Sequence, residues 1–80
     1  MNFRKLSAND VIDVRFNGSR QLGNEPYELE KLTVLNVTEN EIELAEVDGT
    51  EFGLYFFENR WRYGSSAEVA KLLKVHHEYN

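Results

Sequence analysis

The sequence predicts a mainly β fold of the α+β kind, in which five antiparallel strands form a small SH3-like barrel or a curved meander and one C-terminal α-helix follows. Several short segments alternate apolar and polar residues with a period of two, as half-buried strands do. Short turns join these segments, and short links require antiparallel neighbours. The last part of the chain instead repeats apolar residues at helical spacing. With 80 residues, the chain is expected to form a single domain, residues 1–80.

The first strand is predicted at residues 11–16, where apolar side chains alternate with charged ones. The Asn-Gly pair at 17–18 follows at once and predicts a type I′ hairpin turn, because both residues tolerate positive φ. Residues 19–26 are polar and are expected to form the longest loop. Upstream of the strand, Asp10 is expected to reach back to Ser7 and cap a single helical turn.

The second strand is predicted at residues 27–37, although its apolar residues do not follow one period. Leu32 and Val34 are expected to point to one side, and Leu35 and Val37 to the other. A long bent strand with a bulge, apolar on both faces as in a small barrel, explains this pattern. The competing interpretation is a short helix that begins at the only proline and ends at Leu32.

Three further strands are predicted at residues 41–47, 51–57 and 60–63, separated by tight turns. In the third strand, Ile42 and Leu44 are expected to face inward. Residues 65–68, Ser-Ser-Ala-Glu, match a capping box and start the predicted C-terminal helix, which continues to about residue 78. Its apolar stripe recurs at i, i+3, i+4 and i+7 and comprises Val69, Leu72, Leu73 and His76. An OB-type barrel ranks second, since its helix usually lies within the strand series.

Charge is unevenly distributed along this acidic chain, whose net charge is −5. Between Glu25 and Glu58 lie ten carboxylates and one lysine, a local balance of −9. Each flank carries four basic and two acidic residues, which adds +2 on either side. Such segregation favours partners with a basic surface and disfavours nucleic acid, whose phosphates bind lysine and arginine.

Other compositional features exclude several classes of protein. The chain has no cysteine, so disulfides and thiolate metal sites are excluded. No segment approaches the roughly 20 apolar residues of a membrane-spanning helix. The basic N-terminal residues are not followed by the apolar segment of a secretory signal. We therefore expect a cytoplasmic protein that does not bind membranes.

The acidic hairpin provides the leading candidate for a binding surface. Glutamates two residues apart share one face of a strand, with successive carboxylates about 7 Å apart. That spacing is close to the phosphate repeat of a DNA strand, so the surface is a possible nucleic-acid mimic. The simpler interpretation is a solvated outer face that protects a strand edge from aggregation. The candidate partner-binding residues are Glu39, Glu41, Glu43, Glu46 and Asp48.

An aromatic and basic strand provides the alternative surface. Arginine interleaved with aromatic residues is typical of proteins that stack unpaired bases, which suggests a barrel that binds single-stranded RNA or DNA. The same aromatic residues could instead form a small core beneath the predicted helix. Exposed Tyr55 and Phe57 could also support a homodimer. The residues of this alternative surface are Tyr55, Phe57, Arg60, Trp61, Arg62 and Tyr63.

No pattern predicts catalysis, a metal site or a cofactor. His76 and His77 are adjacent, so on a helix they would point about 100° apart and could not readily bind one metal ion. The chain has no glycine-rich phosphate loop, and no motif groups an acid, a base and an orienting residue. We therefore expect a non-catalytic protein-binding module, an inhibitor or adaptor, whose acidic β-face contacts a basic surface, such as a nucleic-acid-binding surface, on a partner protein.

Overall fold

The computed structural model describes residues 3–17, 26–63 and 69–76, which form a closed antiparallel barrel of six strands. Neighbours in the barrel are neighbours in the chain, and the last strand closes the barrel against the first. A 3-10 helix, Phe3–Lys5, precedes the barrel. The strands are β1 (Val11–Asn17), β2 (Tyr27–Val37), β3 (Glu41–Ala45), β4 (Glu51–Phe57), β5 (Arg60–Tyr63) and β6 (Val69–His76). The predicted small β-barrel is confirmed, with one strand more than expected.

The core fills the barrel interior. Strands β1 to β4 contribute every described side chain that is less than 2% exposed, because their inward residues alternate with outward polar ones. These side chains are Phe16, Ile12, Leu32, Ile42, Leu44, Leu54, Val14 and Val34. The predicted inward orientation of Ile42 and Leu44 is therefore confirmed. Among the described residues, no helix is both long and apolar enough to cross a membrane.

The predicted C-terminal helix is wrong, because Val69–His76 is strand β6. Leu72 pairs with Val14 and Lys74 pairs with Asp13, so Leu73 lacks a partner on β1 and forms a bulge. Beyond the bulge, the positions that face inward are shifted by one residue. Leu72 and Val75, three residues apart, therefore both face the core. Apolar residues three apart thereby imitate the period of a helix. The proposed capping box at 65–68 lies outside the described residues.

Two bulges also explain the irregular pattern of β2. Leu29 pairs with Val14 and Leu32 with Ile12, so an extra residue lies between them, and Lys31 has a φ of 58°. A second register shift leaves Leu35 without a partner on β3. The predicted bulge is confirmed, but the strand is not apolar on two faces.

The two bulges keep one set of β2 side chains facing the barrel interior. Leu32 and Val34 are buried, and Val37 packs on the same core instead of pointing outward with Leu35. The competing helix ending at Leu32 does not form, since residues 27–37 are a strand.

Four of the predicted turns, at residues 7–10, 38–40, 48–50 and 58–59, lie within the described residues. The Ser7 amide donates to Asp10 Oδ2 at 2.8 Å, which confirms the predicted contact in a turn that is not helical. The turn between β3 and β4 contains Gly49 at a φ of 94°, a conformation that glycine adopts without strain. The predicted turn at 17–18 and the predicted loop at 19–26 lie outside the described residues, except for Asn17 and Pro26.

Asp13 links three neighbouring strands at the point where both β2 and β6 are bulged. Its Oδ1 accepts a hydrogen bond from Nε2 of His76 at 2.7 Å and from the Lys31 amide at 3.0 Å. The side chains of Asp13 and His76 are each only 16% exposed. Burial raises the pKa of Asp13, but hydrogen bonds from His76 and Lys31 and the charges of His76 and Lys74 outweigh it. The pKa therefore lies below its ordinary value of 3.8.

Replacing Asp13 with asparagine is expected to lower the free energy of unfolding at neutral pH by about 1–3 kcal/mol, because the contacts to a charged acceptor are weakened. A carboxylate with a lowered pKa contributes stability above its unfolded pKa, and this contribution is lost as the pH falls through the folded pKa. The difference between wild type and Asp13→Asn should therefore disappear in acid, well below pH 3.8. Urea denaturation across this pH range measures it.

Glu30→Gln is the matched control, because Glu30 is an exposed carboxylate on the neighbouring strand β2. It should change stability little at either pH. An Asp13→Asn deficit of equal size at neutral and acid pH would contradict a charge-dependent link.

Candidate interaction surfaces

The outer face of β3 and β4 brings three glutamates together around a glycine. Glu43 pairs with Gly53, and Glu41 pairs with Tyr55 on the same outward side. Glu51 lies next to Gly53 on that side of β4, two residues earlier. Because Gly53 has no side chain, the sheet surface is lowered at the centre of this group.

The resulting depression has a volume of about 230 Å³ and is called the acidic groove below. It is lined by Glu41, Glu43, Glu51, Phe52, Gly53 and Tyr55. A Cβ at Gly53 would lie 3.7 Å from the Tyr55 hydroxyl, so the tyrosine side chain extends beside the glycine. An aromatic side chain placed in this way compensates for a glycine within a strand. The groove thus has an aromatic wall and a carboxylate rim.

Of the five predicted partner-binding residues, Glu41 and Glu43 line the groove. Glu39 is exposed in the turn between β2 and β3, before the strand begins. Glu46 and Asp48 lie beyond Ala45 in the turn between β3 and β4. The expectation that Glu39 continues the face of the strand is not met, since β3 starts at Glu41.

Asp48 has a local structural role in its turn. Its Oδ1 accepts a hydrogen bond from the Thr50 amide at 2.9 Å. Hydrogen bonds from the backbone and side chain of Thr50 lower the pKa of Asp48 below its ordinary value. Asp48 therefore carries its charge at neutral pH while it holds the turn.

Arg4 and Arg62 each have partners outside the groove. Arg4 Nε donates to the Glu39 carbonyl at 2.7 Å, and its guanidinium lies 4.1 Å from the centre of the Phe56 ring. Arg62 pairs with Glu58 at 3.6 Å. Within the described ranges, none of the ion pairs involves Glu41 or Glu43. The negative potential of the groove is therefore not cancelled by an ion pair between described residues.

Glu51 and Gly53 are two groove residues that were not predicted from the sequence. Their signal was present, because alternation along β4 places Glu51, Gly53 and Tyr55 on one side. The cross-strand register that brings this side next to Glu41 and Glu43 cannot be obtained from one strand alone.

The aromatic and basic strand does not form one exposed surface. Trp61 is only 8% exposed and packs on Phe3 and Phe56 with ring centres 5.5 and 5.2 Å apart. Tyr63 also packs inward, edge-on against Phe52. Bases could not stack on the Trp61 ring without opening the barrel. The burial of Trp61 therefore weighs against the single-strand binding hypothesis, which stays a prediction.

Outward positions of β4 and β5 carry the remaining members of this set. Tyr55 is 44% exposed and pairs with Arg62, whereas Phe57 is 62% exposed and pairs with Arg60. They are accessible to a partner, so the predicted homodimer through Tyr55 and Phe57 also stays a prediction.

Within the residues that the structure describes, no group of three histidine, cysteine, aspartate or glutamate side chains could hold a metal ion. His76 binds Asp13, whereas His77 lies outside the described residues. No protein-family model, curated protein or solved structure matches the chain. The function of the protein is therefore inferred from the geometry of its surface.

Gly53→Ala is expected to raise the free energy of unfolding by about 0.5–1 kcal/mol, because glycine within a strand costs conformational entropy. The added Cβ would meet the Ile42 carbonyl at 3.6 Å, an ordinary contact. Gly49→Ala is the control and should destabilise, since Gly49 has a φ of 94°. Urea denaturation compares them. A clear loss of stability in Gly53→Ala would contradict the conclusion that the space above Gly53 can hold an added methyl group.

Proposed function

We propose that this protein is a non-catalytic protein-binding module that presents the acidic groove to a basic surface of a partner protein, as an inhibitor or adaptor does. The observation that carries the proposal is a concave site with three glutamates and no lysine or arginine among its lining residues. The small barrel is proposed to be of the SH3-like type. That fold alone names no function, so the proposal depends on the site.

Electrostatic complementarity is the first support. The groove lies in the central segment whose local balance is −9, so its field attracts cations from a distance. Such a field raises the association rate and selects against acidic competitors more than it adds affinity. A basic side chain would approach Glu41 and Glu43 from solvent without first displacing an existing ion pair of the described residues.

Tyr55 supplies the second support. A lysine or arginine that enters the groove would meet both carboxylates and the exposed aromatic wall, 44% of which is accessible. A cation on a tyrosine face gains about 0.5–1 kcal/mol at an exposed site. Tyrosine and arginine are also enriched at the centres of protein interfaces. The groove is therefore suited to bind one basic side chain, with Glu39 and Asp48 at the edges.

The double reversal Glu41→Lys/Glu43→Lys is expected to weaken binding of an arginine- and lysine-containing decapeptide by about tenfold or more, because two attractive contacts become repulsive. The salt dependence of binding should also become weaker. Titration followed by amide chemical shifts measures the affinity and locates the peptide. With wild type, the shifts should concentrate on β3 and β4.

Two controls separate a specific groove from general attraction to an acidic protein. Glu30→Lys makes the same change in net charge as Glu43→Lys, but on exposed β2 outside the groove. Gly53→Val keeps the charge and fills the floor. We expect Glu43→Lys and Gly53→Val to weaken binding and Glu30→Lys to have little effect. If both charge reversals weaken binding equally and Gly53→Val does not, the acidic face is only a solvated surface.

The natural partner can then be sought by affinity capture from the native host, with wild type and Glu41→Lys/Glu43→Lys as paired baits. The proposal predicts a protein that the wild type retains, that moderate salt releases, and that the double variant does not retain. Equal capture by both baits would contradict the proposal.

A further inference from the structure

The weakest join of the barrel lies between β5 and β6. Among the described residues, the two strands share a single pair, Arg62 with Val69. By contrast, β6 pairs with β1 along its whole length, from Val69 opposite Asn17 to His76 opposite Val11. Beyond Val69, the edge of β6 that faces away from β1 pairs with no described strand. Unpaired strand edges bind other chains readily.

A cleft of about 300 Å³ occupies the place where the two strands diverge. Its apolar lining includes Phe3, Trp61, Ala70 and Leu72. These four side chains are between 3% and 8% exposed, whereas the described core residues of β1 to β4 are at most 1% exposed. The cleft therefore opens onto the core and has room for an apolar side chain of a partner.

The rim of this β5–β6 cleft is basic. Arg60 contributes from β5 and Lys71 from β6, and both are exposed. Among the described residues, no aspartate or glutamate lines the cleft. The charge of the cleft is thus opposite to that of the acidic groove.

We propose that the β5–β6 cleft binds an extended acidic segment of another protein, which adds as a strand to the open edge of β6. Main-chain hydrogen bonds along β6 supply affinity, and alternate side chains of the added strand supply specificity. An apolar side chain enters the cleft above Trp61 and Leu72. Carboxylates on the other side of the segment meet Arg60 and Lys71.

A peptide matches these features better than a nucleic acid does. The open edge of β6 offers alternating amide donors and carbonyl acceptors, which a peptide backbone satisfies and a phosphate chain does not. Single-strand binders also present aromatic faces for stacking. Here the tryptophan of the cleft is 8% exposed, too little to accept a base on its face.

The test uses a capped hexapeptide of alternating glutamate and valine, titrated into the full chain at low salt. Emission of Trp61, which lines the cleft, should shift as the peptide binds. Amide chemical shifts should change along β6. Lys71→Glu should weaken binding by about tenfold, because a charge-assisted contact becomes repulsive. Lys31→Glu is the matched control, since Lys31 is an exposed lysine on β2, and its binding should be unchanged.

Each of three further measurements has one result that would contradict the proposal. A peptide N-methylated at alternate amides cannot pair with β6, so binding equal to that of the unmodified peptide would exclude strand addition. Oligothymidylate that competes with the peptide and binds more tightly would assign the cleft to nucleic acid. Dimerisation in sedimentation that Lys71→Glu abolishes would assign it to a second copy. Failure here leaves the acidic groove unaffected, because that site uses different residues.

Discussion

Pairing of β6 with β1 is the constraint on which the rest of the structure depends. It converts five strands with two open edges into a closed barrel, in which inward side chains of all strands share one core. A chain of this length buries only a modest fraction of its surface, so loss of this strand would expose much of the core. Asp13 strengthens the pairing at its irregular point, because its carboxylate accepts hydrogen bonds from the Lys31 amide in the β2 bulge and from His76, three residues beyond the bulged Leu73 of β6. One partly buried carboxylate thus binds next to both bulges.

Closure also determines where the two candidate surfaces lie. The acidic groove is built on the regular β3–β4 pairing, which fixes Glu41, Glu43 and Gly53 in register. The β5–β6 cleft lies two strands further around the barrel, where one residue pair joins the two strands among the described residues. The first surface is acidic, whereas the second is basic and includes an edge of β6 that pairs with no described strand beyond Val69. Electrostatic attraction suits the first, whereas backbone pairing suits the second.

Much of the barrel could be predicted because alternation is a local property. Four of the five segments between Val11 and Tyr63 follow period-2 patterns, with residues 27–37 as the exception, and all five are strands. The last segment failed for a physical reason. The bulge at Leu73 sets Leu72 and Val75 three residues apart on the inward side, which local periodicity cannot distinguish from a helix. Pairing with β1 makes this segment a strand and not a helix, and the register of that pairing cannot be obtained from residues 69–76 alone.

The same distinction applies to the surfaces. Alternation placed Glu41 and Glu43 together, whereas the contribution of Gly53 required the register between β3 and β4. Trp61 is buried because Phe3 and Phe56 surround it, and neither contact can be obtained from the alternation of β5. Residues whose surroundings depend on a distant partner could therefore not be placed from the sequence alone.

Nuclear magnetic resonance of the backbone tests the closure most directly. The structure predicts cross-strand nuclear Overhauser effects between β1 and β6, for example between Val14 and Leu72 and between Ile12 and Val75. It also predicts slow amide exchange at the β6 residues that bond to β1. Continuous sequential amide contacts through residues 69–76, as in a helix, together with no contacts to β1, would contradict the account.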